Sequence, residues 1–202
     1  MGKDRNAGVC NAMTKPLLSI CIATYNRAEY IGETLESIIP QITDEAEIVI
    51  VDGASTDDTG NVVKRYVEGC RQINYILFPS KGGVDQDFCK AVEFAKGEYC
   101  WLFSDDDLLK PDAISTILKE AIKGYSLIVV NAQVMTSDFS KIIEKKRLLI
   151  DTNEVFSCSE IERLFNRTVE YMSFIGCVVI NRDLWMQREK NGISALNLYM
   201  SA

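Results

Sequence analysis

Ser104-Asp105-Asp106-Asp107 sets three consecutive carboxylates directly behind the apolar run Tyr99-Cys100-Trp101-Leu102-Phe103. Packed acids raise one another's pKa and resist joint ionisation, whereas a bound divalent cation lets them stay charged. The triplet therefore points to a metal-dependent site. A helix start competes with that reading, because Pro111 suits a first helical position and Asp112 adds favourable charge to the first turn. It explains Asp112 better than the triplet, whose members lie too far ahead of Pro111 for more than one of them to cap.

Two other segments offer polar groups at the ends of apolar runs. Ala23-Thr24-Tyr25-Asn26-Arg27 follows one, and its small residue and two polar ones leave backbone groups and the Asn26 amide free for a ligand; equally, Asn26 can cap the next helix. Val51-Asp52-Gly53-Ala54-Ser55-Thr56-Asp57-Asp58 follows another. Asp52 should emerge at the top of the sheet beside Thr24, where a carboxylate accepts hydrogen bonds from a base or ribose. Ser55 and Asp58 have the spacing of a capping box, which leaves Asp52 unexplained. Lys81-Gly82-Gly83 permits a tight turn or close backbone approach to a phosphate-bearing ligand. The chain has no histidine, so general acid-base work falls to carboxylates.

These residues need a frame, and the hydrophobic pattern supplies one. Short apolar runs at Leu17–Ala23, Glu47–Val51, Ile73–Leu77 and Tyr99–Phe103 read as strands. They alternate with helical patterns at Ala28–Ile39, Asp57–Val67, Val84–Ala95 and Asp112–Ile122. Such alternation predicts an α/β fold with a mostly parallel central sheet flanked by helices, and ligands at the strands' carboxyl ends. Beyond Gly124 the pattern becomes mixed: strands at Leu127–Asn131 and Cys177–Ile180, a segment Gln133–Thr136 that continues or pairs with the first, a stretch Ile142–Ile150 that suits edge strand or helix, and helices at Ser159–Arg167 and Asp183–Lys190.

With 202 residues, the chain fits one domain, expected over 16–202 behind a flexible segment 1–15. The seven cysteines form no Cys-x-x-Cys pair and read as reduced, mostly buried thiols of a cytoplasmic protein. A net charge of −7 without a Lys/Arg cluster argues against nucleic acid as a partner. No apolar run approaches the roughly 20 residues that span a bilayer.

In order and spacing, Ser19–Arg27, Glu47–Asp57, and Ala95–Tyr99 running into Ser104–Asp112 resemble the family 2 glycosyltransferases of GT-A fold, across about residues 17–115. The resemblance implies transfer of a sugar from a nucleotide-diphosphate donor to an acceptor hydroxyl, with inversion. It divides the chain into a nucleotide-sugar-binding half, 16–123, and a partial, truncated acceptor-side half, 124–202. By the same resemblance Thr24 and Asp52 hold the base, Asn26 lines that pocket, and Ala23 and Gly83 join the donor site. Asp105 meets the ribose, Asp106 binds Mg²⁺ or Mn²⁺ at the diphosphate, and Asp107 orients the metal's water shell. Expected partners are the nucleotide-sugar donor and a saccharide or lipid-linked saccharide acceptor. A homodimer and peripheral contact at the inner face of the cell membrane are also admitted.

Three departures qualify the match. The family commonly carries two acids or Asp-Asn where this chain has Asp52-Gly53, and Arg-Asn where it has Phe88-Cys89. Gly83-Val84-Asp85-Gln86-Asp87-Phe88 and the Ser104-led triplet are similar instead to O-antigen enzymes that add dideoxyhexoses such as abequose. An inverting transfer also needs a base. The only acids after Glu170 are Asp183 and Glu189, of which the first suits a helix cap and the second a solvated helical stretch. A non-catalytic nucleotide-sugar-binding relative is the alternative, and a receiver-type phosphoacceptor domain ranks well below both.

Overall fold

The computed structural model of the chain describes residues 15–172 and 174–190. Segment 1–15 (except Lys15), with its Cys10, and the side chain of Glu189 lie outside what it describes.

Strands β1 (Leu18–Thr24), β2 (Ala46–Asp52), β3 (Ile73–Leu77) and β4 (Tyr99–Phe103) pair in parallel in the order β3-β2-β1-β4. Every residue of β1, β2 and β4 is buried, as expected of parallel strands covered on both faces. Helices α1 (Ile31–Ile38), α2 (Thr59–Val67) and α3 (Val84–Phe94) connect them, and α4 (Ala113–Ala121) follows β4. After α4 come β5 (Leu127–Val129), a small hairpin of β6 (Val134–Met135) and β7 (Ile142–Glu144), α5 (Ile161–Met172), β8 (Val178–Asn181) and α6 (Arg182–Lys190). The late strand β8 enters the sheet between β4 and β5, antiparallel to both.

Alternation along the strands splits the core in two. Ile20, Ile22, Ile48, Ile50 and Trp101 face Leu35, Val63 and Ile114 of α1, α2 and α4. Cys21, Val49, Val51 and Leu102 face Phe88 and Val92 of α3, with Trp185 and Met186 of α6 packed alongside. The Trp101 ring meets Phe103 edge-on at 5.7 Å and its Nε1–H donates to the Gly176 carbonyl at 2.8 Å, tying β4 to the turn before β8. All six described cysteines are free, and four of them are buried. Among the described residues no helix is long and apolar enough to cross a membrane.

Several expected boundaries move. The helix expected from Ala28 starts at Ile31, because backbone N–H groups of Arg27 and Ala28 donate to Thr59 Oγ1 and Asp57 Oδ2 instead of entering a helix. The helix expected from Asp112 starts at Ala113, with Asp112 as its N-cap in the left-handed region at φ 63°, so Pro111 lies outside the first turn. Ile142–Ile150 resolves into a three-residue strand and a loop.

Candidate active site

Thr24 and Asp52 end their strands as register partners on one face of the sheet, as their sequence positions predict. Asp52 is completely buried. Its Oδ1 accepts the Ser55 N–H at 2.7 Å and its Oδ2 the Tyr75 hydroxyl at 2.7 Å. Burial first, then the bond to Asp52 and its charge, drives the Tyr75 hydroxyl far above its usual pKa.

Asn26 neither caps α1 nor stands free. It sits at φ 55°, a left-handed conformation that Asn tolerates. Its Oδ1 accepts the Thr56 N–H at 2.8 Å, and its own N–H donates to Ser55 Oγ at 2.9 Å. Asn26 thus laces the loop after β1 to the loop after β2. With the Ser55 hydroxyl engaged there, the expected capping box with Asp58 does not form, and Asp58 as N-cap of α2 makes no side-chain cap bond.

Helix α1 positions the acidic loop. Thr34 Oγ1 donates to the Asp105 carbonyl at 3.0 Å, and Ser37 Oγ accepts the Leu109 N–H at 3.0 Å, while the Leu109 side chain is buried. The Asp105 carboxylate lies 3.5 Å from Arg27 Nε, and Asp106 lies 3.6 Å from Arg27 Nη2, so one guanidinium spans two of the three acids. Burial raises the Asp105 pKa, against the lowering influence of Thr24 and Arg27. The Thr24 hydroxyl is buried and lacks a partner in good hydrogen-bond geometry, although it lies near enough to Asp105 to act on its charge. Asp106 accepts a short hydrogen bond from Ser104 Oγ. Asp107 is pushed up to about 6, by burial first and then by the charges of Asp106 and Asp105. Its residue is solvent-exposed, yet one oxygen packs against the turn before β8, where a Cβ on Gly176 would come within 3.2 Å of it.

Gly83 begins α3 as its N-cap at φ 101°, ψ 154°, a region open only to glycine. The close approach at Gly82 is made by the protein itself: a Cβ there would lie 3.0 Å from Asp87 Oδ1 and 3.0 Å from Gln86 Oε1. A Cβ on Gly53 would lie 2.6 Å from Asp87 Oδ2. Asp87 therefore occupies the space that side chains at 53 and 82 would need. Lys81 Nζ stands 3.9 Å above the Tyr25 ring and offsets part of the negative field at Asp87.

The carboxyl ends of β1, β2 and β4 thus gather Thr24, Asp52, Asp105 and Asp106, with Asp107 at the margin and Gly83 opening the helix beside them. Ala23 pairs with Val51 just below, largely buried. Asp183 is not brought there. It follows β8, whose Asn181 pairs with Tyr99 at the opposite end of β4 from the acids, and its neighbour Arg182 binds the carbonyls of Val92 and Glu93. Arg27, Lys81, Tyr75 and Asp87 are contributors that sequence reasoning did not single out. Arg27, Lys81 and Asp87 stood inside quoted motifs without being given a role, and Tyr75 lay within the third strand. A cavity of about 470 Å³ between α4, β5 and residues 146–156 lies elsewhere, and none of these acids lines it.

Among the described residues no group of three acids or cysteines is gathered to hold a metal unaided. Mg²⁺ commonly binds through one or two carboxylates, with phosphates and water completing its octahedron. Asp106, with 41% of its side chain exposed, and the solvent-facing Asp107 are hard oxygen donors of that kind.

Comparison with known proteins agrees with this geometry. A family model described as glycosyl transferase family 2 matches residues 19–188. The chain is 38% identical over 104 residues to the abequosyltransferase RfbV of Salmonella typhimurium, covering 50% of this chain and 31% of that protein. Its fold matches S. aureus TarS 1-349 in complex with UDP-GlcNAc at TM-score 0.67 and 21% identity, covering 87% of this chain and 47% of the other. It also matches the mannosyltransferase PcManGT from Pyrobaculum calidifontis in complex with GDP-Man and Mn²⁺, at TM-score 0.60 and 20% identity, over 89% and 47% of the two chains. The chain therefore spans about half the length of these solved structures and about a third of that curated relative.

Proposed function

The chain belongs to glycosyl transferase family 2, with the GT-A fold, and from that premise we propose that it transfers a sugar from a nucleotide-diphosphate donor to an acceptor hydroxyl, with inversion, in the assembly of a cell-surface polysaccharide. One observation carries the reading: Thr24, Asp52, Asp105 and Asp106 converge at the carboxyl ends of adjacent strands, where open α/β sheets bind ligands. In this assignment Thr24 and Asp52 frame the floor beneath the nucleoside, with Ala23, Asn26 and Gly83 shaping the surrounding loops. Asp105, held by Thr34 and Arg27, faces the ribose. Residues 16–123 form the donor half and 124–202 belong to the acceptor side, where a saccharide or lipid-linked saccharide would be received.

Asp106 and Asp107 would hold Mg²⁺ or Mn²⁺, which when bound offsets charge on the leaving diphosphate. The Arg27 guanidinium, already shared between Asp105 and Asp106, offsets part of the repulsion between them in the absence of donor and metal. The relative named as an abequosyltransferase and the solved structures with UDP-GlcNAc and GDP-Man support a nucleotide-sugar ligand.

Calorimetric titration of UDP, GDP, CDP and dTDP, with and without Mn²⁺, on wild type and Asp106→Ala, tests the proposal. Metal-dependent binding that the substitution abolishes is the expected result. Absence of binding to every nucleotide, with or without metal, would sink the donor assignment.

A further inference from the structure

Asp87 is an anomaly in this site. Only 5% of the residue is exposed, yet no hydrogen bond reaches its carboxylate among the described residues. Buried carboxylates are ordinarily paired or hydrogen-bonded, and an unpartnered one calls for an explanation. Two glycines make room for it, Gly53 and Gly82. Its surroundings do not favour its charge: burial raises its pKa, the neighbouring Asp52 raises it further, and Lys81 offsets only part of this. A purely structural acid at this position would accept backbone N–H groups, as Asp52 does from Ser55.

The neighbourhood has the parts of a nucleobase pocket. Tyr25 presents an aromatic face and Lys81 a cation, 3.9 Å apart. Thr24, the register partner of Asp52, carries a buried hydroxyl without a hydrogen-bond partner in good geometry. Asp52 itself is completely buried, with both oxygens engaged by Ser55 and Tyr75, so it lies behind the surface a ligand would touch.

Resting on the nucleotide-sugar reading, we propose that Asp87, rather than Asp52, reads the nucleobase of the donor and selects a base that presents an amino group, cytosine or guanine, over uracil or thymine. The chemistry lies in the donor pattern of each base. On its C4–C5 edge cytosine offers an N4 amino hydrogen beside C5–H, away from its N3 and O2 acceptors, and guanine offers N1–H beside its N2 amino group, so on those edges a carboxylate meets no acceptor. Uracil and thymine offer a single N3–H flanked by two carbonyl oxygens. A carboxylate accepting that proton brings its second oxygen against a carbonyl, and the buried charge of Asp52 behind it adds to the repulsion. Asp87 thus acts as a specificity residue through an acceptor-only surface.

The test uses the full 202-residue chain with Mn²⁺ present, titrated calorimetrically with CDP, GDP, UDP and dTDP, for wild type, Asp87→Asn and Asp52→Asn. In wild type, CDP or GDP should bind at least about tenfold tighter than UDP and dTDP, the scale expected of one charge-assisted hydrogen bond. Asp87→Asn keeps the shape but turns one acceptor into an N–H donor that suits the uracil O4, so the preference should collapse by about tenfold or more. A thermal melt checks that this variant folds. Asp52→Asn, which disturbs the floor beneath the nucleoside, should lower Tm and weaken all four nucleotides by a similar factor, without changing their ranking. Equal or tighter binding of UDP or dTDP by wild type, or a preference unchanged in Asp87→Asn, would overturn the role of Asp87 while leaving the donor site standing. A preference moved by Asp52→Asn alone would do the same. No binding of any nucleotide would overturn the donor reading and this inference together.

Discussion

The carboxylates at the strand ends look alike in sequence and differ in what their surroundings let them do. Asp52 is enclosed with both oxygens hydrogen-bonded, Asp87 is largely enclosed with no hydrogen bond to its carboxylate among the described residues, and Asp106 is open to water. Asp106→Asn should therefore change stability by no more than about 0.5 kcal/mol, as for most exposed positions, while metal-dependent nucleotide affinity falls at least about tenfold. Melting curves and calorimetry on the same sample separate the two effects. The wedge between Gly53 and Asp87 can be tested without any ligand. Gly53→Ala brings a Cβ within 2.6 Å of Asp87 Oδ2 and should cost about 1–3 kcal/mol in urea denaturation. Adding Asp87→Ala should return part of that loss, a non-additivity that only direct contact produces.

At the scale of elements, tight packing lies at the lower end of the sheet as well as at the site. Gly97 N–H donates to Ser19 Oγ at 2.8 Å, and that hydroxyl in turn donates to Glu47 Oε1 at 2.7 Å, joining β1, β2 and the turn into β4. A Cβ on Gly97 would sit 2.7 Å from the Ser19 backbone nitrogen. Gly97→Ala should lower the urea midpoint with an unchanged m-value, a loss of about 1–3 kcal/mol or more because backbone cannot move aside. At the entry to α2, burial pushes the Asp57 carboxyl up, but hydrogen bonds from Thr59 and Ala28 hold it below its ordinary value. A depressed folded-state pKa contributes stability above about pH 4 and loses it as pH falls through the folded value. The gap in Tm between wild type and Asp57→Asn should therefore be widest near neutrality and narrow below about pH 4.

The strands of the parallel core were legible in sequence because burial on both faces writes itself as a continuous apolar run. Tyr99–Phe103 matches residue for residue, and so does the edge strand Ile73–Leu77, which is only partly buried and is legible from its β-prone residues between turns. The helix starts were less legible, since Ala28 and Pro111 follow rules of local preference that Asp57 and the left-handed Asp112 override. Ile142–Ile150 stayed ambiguous for a related reason: all three residues of its short strand are exposed, so no core face impresses a period on them. In the site, the meeting of Thr24 with Asp52 followed from strand register. The role of Asp87 could not, because it depends on an approach between residues 53, 82 and 87 that no local pattern encodes.

Across the whole molecule, burial is uneven. β1, β2 and β4 have no exposed residue, whereas residues 137–153 are mostly exposed, with Leu149 at 89%. Amide hydrogen exchange should be slowest in the three central strands, approaching the rate set by global unfolding, and fastest across 137–153. Peptide-resolved exchange measured by mass spectrometry checks this. If 137–153 were protected as strongly as β1, this segment would have to be packed far more firmly than its burial indicates.

The position of β8 also bears on how the protein is made. Its residues complete the edge of β4, pairing Leu102 with Val178, so Phe103 leaves the ribosome 75 residues (178 − 103) before the partner strand begins. At translation rates of roughly 5–20 residues per second, that interval lasts on the order of 4–15 s. During it the strand bearing Trp101 presents unpaired N–H and C=O groups beside a large aromatic side chain, a surface prone to association between nascent chains. Slower elongation would lengthen this exposure and a holding chaperone would shorten its consequences, so the yield of native protein is set in part by the timing of synthesis.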